Sequence, residues 1–125
     1  MTVPSTAPIF DQVMDPTDIL DFYFEISQGD ATGDILMTGE EIASFTLGTT
    51  AEATAGGVRI MSDGVRAPIA DGRIIRFWMD VDPTTQSSTI FDSRGILVGI
   101  VLTITTDADP LRKKQRTVGI RVANQ

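Results

Sequence analysis

Three pairs of carboxylates are the residues whose type and spacing come nearest to chemistry: Asp30 with Asp34, Asp80 with Asp82, and Asp107 with Asp109. Two carboxyl groups facing each other ~5 to 9.5 Å apart across a cleft can hydrolyse a glycoside, one as acid and the other as base or nucleophile. Asp30 and Asp34 could instead offer loop oxygens to calcium, but they lack the Asp-x-Asp-x-Asp-Gly spacing of a calcium loop. All three pairs fall at expected turns or strand ends. Asp is favoured there for its bonds to nearby backbone N–H groups, and this structural use is the ordinary one. The chain contains no His and no Cys. Ser-His-Asp triads, thiol nucleophiles, disulfides and the usual zinc sites are therefore excluded. No catalytic residue, metal ligand or cofactor is expected. Gly29, Gly33, Gly56 and Gly57 make no nucleotide fingerprint, because no helix of useful length follows them.

Two other groups of side chains suit contact better than catalysis. Tyr23 and Trp78, the single residues of their types, both fall on the polar side of an expected strand. On an enclosed face they would be core; on an exposed one they would anchor an interface or stack on a sugar. The basic run Arg112, Lys113, Lys114 and Arg116 is expected at the tip of the last hairpin. It either guards a solvated turn against edge pairing or meets an acidic neighbour, such as the acidic first half of another copy.

The elements that position these residues are strands. Ile96, Val98, Ile100, Leu102 and Ile104 alternate along one arm of a closing hairpin, and Val118, Ile120 and Val122 along the other. Leu20, Phe22, Phe24 and Ile26 mark an earlier half-buried strand. Residues 41–47, 58–62 and 74–81 add three more, and residues 89–92 a short one. Phe22, Phe24, Ile100 and Leu102 should share one core. Residues 48–57 read as a small-residue loop, and Pro68 confines its neighbourhood to a sheet edge. The expected fold is all-β: an immunoglobulin-like antiparallel β-sandwich of about seven strands. A jelly roll or small barrel would also serve the pattern.

Residues 18–125 form the expected sandwich, and residues 1–17, with Pro4, Pro8 and Pro16, an extended N-terminal arm. Ile9, Phe10, Val13 and Met14 make the arm too apolar for a solvated tail. The expectation is that it orders only against a neighbouring subunit. At 125 residues the chain should be one domain with one core. It lacks an apolar run long enough to span a membrane, and its first residues do not read as a signal peptide. Net charge is −7, with ten acids and no base in residues 1–58 against seven acids and ten bases in residues 59–125. The overall sign disfavours nucleic acid as a partner.

Several segments taken in order resemble one family. They are Asp15-Pro16 with Leu20-Asp21-Phe22, then Gly39-Glu40-Glu41-Ile42 with Ser44, then Gly95, Thr103 to Thr106, Arg112 and Gln115-Arg116, and finally Ile120 to Ala123. Together they look like the small immunoglobulin-like virion proteins of tailed bacteriophages known as fibre-tail adaptors. The likeness spans most of residues 15–124. Members of that family carry Trp where this chain has Ile26-Ser27 and Phe45, and a tight Gly-rich turn where it has the longer stretch 81–95. The resemblance implies a non-enzymatic virion component in several copies that joins fibres to a tail. Its partners would be other phage virion proteins and further copies of itself. Decoration of the head and carbohydrate binding are the alternatives. The expected contact residues are Ile9, Phe10, Val13, Met14, Tyr23, Trp78, Arg112, Lys113, Lys114 and Arg116.

Overall fold

A computed structural model describes residues 3–4, 7–30 and 34–125. Its strands are β1 (Leu20–Glu25), β2 (Ile42–Thr49), β3 (Val58–Ile60), β4 (Ile69–Asp71), β5 (Ile74–Val81), β6 (Ile96–Thr106) and β7 (Lys113–Val122). They make two antiparallel sheets, β1-β5-β3 with β4 also on β5, and β2-β6-β7. The chain changes sheet between β1 and β2, between β2 and β3, and between β5 and β6. That order matches the BED and CFG strands of an immunoglobulin sandwich.

The two-residue side-chain period explains why the sheets face each other. β1 buries Phe22 and Phe24 while Asp21, Tyr23 and Glu25 point to solvent. β5 buries Ile75, Phe77, Met79 and Val81. β6 meets them with Val98, Ile100, Leu102 and Ile104, and β7 with Ile120 and Val122. Phe22, Phe24, Ile100 and Leu102 do lie in one core cluster. Phe77 stacks on Phe22 and Phe24 at centroid separations of 5.8 and 5.4 Å. β3 and β4 both pair with the edge of β5 opposite β1, β3 with Met79 to Val81 and β4 with Ile74 to Arg76. Residues 61–68 bulge between them. Pro68 has no N–H to continue the ladder.

Four sequence expectations need correction. Residues 48–57 are not simply a loop: Ala51–Gly56 is an α-helix, α1, closed by Gly57 in the left-handed conformation at φ 73°. Residues 89–92 hold a 3₁₀ turn, Thr89–Phe91, whose start is bonded by the Ser88 hydroxyl. Of the basic run only Arg112 lies in the hairpin turn, because β7 already begins at Lys113.

The arm is the fourth correction. It does not wait for a neighbour; it pairs in parallel with the outer edge of β7, bridging Ile9 to Gly119 and Met14 to Val122. The N–H groups of Phe10 and Met14 donate to the carbonyls of Gly119 and Arg121, at 2.8 and 3.0 Å. Those of Gly119 and Ala123 donate to Pro8 and Met14. Phe10 packs its ring 5.3 Å from Phe22 and 5.6 Å from Phe24, and Met14 is fully buried. Met14 is thereby closed off from another subunit, while Phe10 keeps part of its ring at the surface. Ile9 and Val13 remain exposed.

Candidate functional site

The outward face of β1-β5-β4 gathers the large side chains that alternation excludes from the core. In register, Tyr23 lies opposite Arg76 and Asp21 opposite Trp78 on one flank of β5, while Ile69 lies opposite Arg76 on the other. Ile74 sits between Glu25 and Asp71. Tyr23 and Ile69 are 56% and 62% exposed. These apolar and aromatic side chains are interleaved with charged ones, Arg76 standing between Tyr23 and Ile69. Tyr23 and Trp78 therefore share one face, held by a ladder that runs through the middle of the molecule.

Trp78 is half-buried for a specific reason. The Arg66 guanidinium lies over its ring, 5.5 Å from the centroid, in cation–π geometry. The bulge is what brings Arg66 there. Two ion pairs border the face: Arg59 forks onto Asp80 at 2.8 and 2.9 Å, and Arg76 approaches Asp21 at 3.7 Å.

Each carboxylate pair has at least one member engaged in holding the fold. Asp80 is held by Arg59, whose guanidinium is pushed up in pKa by that hydrogen bond. Asp82 accepts from the Thr84 N–H and hydroxyl, bonds that hold its carboxyl below the usual range. Asp107 accepts from the Glu41 N–H at 2.8 Å, which ties the hairpin turn to the start of β2. Asp30 accepts from the Thr38 hydroxyl; residues 31–33, between it and Asp34, lie outside the described residues. Among the described residues no three acids converge in a way that could hold a metal ion. A depression of about 590 Å³ beside Gln28, Glu40 and Arg73 also has its polar groups engaged. The Gln28 amide donates to the Met37 and Glu40 carbonyls, and Arg73 donates to that of Ile26.

Arg112 is likewise not free for a partner. Its guanidinium makes a two-pronged contact with Glu40, Nε donating at 3.0 Å and Nη2 to the other oxygen, and Nη2 also reaches the Ile35 carbonyl. Glu40 is buried, and its carboxylate accepts from the Met37 N–H as well. The Arg112 hydrogen bonds come first among the influences that lower the Glu40 pKa from 4.5 to about 2. A carboxyl with a depressed folded-state pKa stabilises the fold fully above its unfolded value and progressively less as pH falls through the folded one. Glu40→Gln should therefore melt below the native chain at neutral pH, and the gap should close between pH 4.5 and about 2. Thermal melts across that range test it; a gap independent of pH would refute the linkage.

Lys113, Lys114 and Arg116 lie along the first half of β7, and none forms an ion pair among the described residues. Sequence reasoning missed Arg66 and Ile69 as parts of the outer face. The alternation that marked Trp78 also marked Ile74 and Arg76, but the bulge left no periodic signal. No family model, curated protein or solved structure matches this chain.

Proposed function

We propose that this chain is a non-enzymatic structural protein of a bacteriophage virion, a multi-copy adaptor joining tail fibres to the tail, and that it docks the next virion protein through the outer face of β1-β5-β4. The observation that carries the reading is the exposed set Tyr23, Ile69 and Ile74 beside Trp78 on one face of a sheet. Aromatic and Arg side chains on a fixed platform are what interface hot spots are made of. The resemblance of the strand motifs to the fibre-tail adaptors supplies the class of partner. A sugar-binding reading gains from Tyr23 and Trp78 sharing a face near carboxylates. It loses because Arg66 already covers the Trp78 ring that a sugar would stack on.

The test is a phage genome carrying Tyr23→Ser with Ile69→Ser in this chain. Both side chains are more than half exposed, so the isolated protein should melt as the native one does. The purified particles should lose their fibres, the loss expected when hot-spot truncation costs ~2 kcal/mol or more. Fully fibred particles would show that this face is not the docking surface. Absence of the native chain from purified particles, or its location on the head, would refute the adaptor reading.

A further inference from the structure

The flank of the sandwich between the arm and β1 carries a groove of about 430 Å³ lined by Phe10, Phe22 and Tyr23, with Asp11, Asp21 and Glu25 around them. Asp21 is near Arg76, but Asp11 and Glu25 have no cation within ion-pair distance among the described residues. Most of the bases are engaged: Arg59 and Arg112 hold carboxylates, Arg66 covers Trp78, and Arg73 and Arg121 bond carbonyls. Lys113, Lys114 and Arg116 remain as a run of cations without a carboxylate. Beside them, at the hairpin turn, Leu111 is 60% exposed. The arm covers β7 only from Gly119 onward, so among the described residues no strand pairs with the outer edge at Lys113 to Arg116. One molecule thus presents an acidic groove lined by aromatic rings and a basic strand end with an apolar tip.

We infer that these two surfaces bind each other between copies: Leu111 and the Lys113 to Arg116 strand of one molecule dock in the Phe10–Phe22 groove of the next. Charge complementarity selects a second copy as the occupant, since the cations left unpaired in one place answer the anions left unpaired in the other. The surfaces differ, so the contact is heterologous and propagates as a ring or an open chain. The groove meets the docking face proposed above at Tyr23, which lines both, but the contact rests on charge complementarity and not on that reading.

Sedimentation velocity of the full chain over a range of concentration and ionic strength tests the contact. The native chain should form larger species as concentration rises at low salt, and high salt should dissociate them. Lys113→Glu with Lys114→Glu and Arg116→Glu should weaken association more than ~10-fold, and Asp11→Lys with Glu25→Lys should do the same. An equimolar mixture of the two variants should associate again, because each offers the complement that the other lacks. Lys114 is half-buried. If the reversed strand melts early, Lys113→Gln with Lys114→Gln and Arg116→Gln replaces it, with the same loss expected. A native chain monomeric at every concentration would overturn the inference. So would association that ignores salt or survives either set of substitutions, and so would a mixture that stays monomeric.

Discussion

A chain shortened to begin at Asp15 should not hold its native fold. Removing residues 1–14 takes away Met14, which is fully buried, and Phe10, whose ring contacts Phe22, Phe24 and Phe77. It also strips four backbone hydrogen bonds from Gly119, Arg121 and Ala123 and leaves the end of β7 as a bare edge. Truncating a buried Met to Ala costs ~2 to 5 kcal/mol and a buried Phe ~3 to 5. Phe10 is partly exposed and belongs in the lower part of that range. Their sum rivals the ~5 to 15 kcal/mol that holds a domain of this kind together. The shortened chain should lose its cooperative thermal transition, and Met14→Ala alone should lower the denaturant midpoint by the equivalent of ~2 kcal/mol or more. A shortened chain that melts with the native one would mean that the arm is an appendage after all.

That expectation reverses the one the sequence suggests, and the reason is instructive. Pro4, Pro8 and Pro16 argue against both helix and ladder, since each removes a donor. Yet Pro8 keeps its carbonyl, and that carbonyl accepts the Gly119 N–H. A proline can serve an edge whose other residues donate, and no periodicity reports this. Strands with one buried face were legible because their period is two: β5 runs from Ile74 to Val81, the span read from alternation. The face carrying Tyr23 and Trp78 was legible for the same reason. The Glu40–Arg112 pair was not, because 72 residues separate its partners and nothing local links them. Helix α1 was obscured by brevity. Ala51, Glu52 and Ala53 favour a helix, but six residues make less than two turns.

Gly95→Ala should be among the most damaging single substitutions in the chain. Gly95 has φ +64°, a left-handed conformation that costs a residue with a Cβ ~1 to 2 kcal/mol. Gly72 has φ +60° with nothing within 4 Å of its would-be Cβ, so Gly72→Ala isolates that backbone cost. At Gly95 the Cβ would also collide with backbone: the Val122 carbonyl oxygen at 1.9 Å and the Ala123 Cα at 2.7 Å. No rotamer change relieves such a contact. Either the turn from Asp92 moves, breaking the bond from the Gly95 N–H to its carbonyl, or the end of β7 moves. The second route parts Ile96 from Val122 and pulls the Ala123 N–H from Met14, so the damage reaches the arm. Gly95→Ala should therefore cost more than ~4 kcal/mol, the exceptional range for one substitution, while Gly72→Ala stays near ~1. Denaturant titration of the two variants side by side decides it, and equal losses would show that the end of β7 yields without penalty.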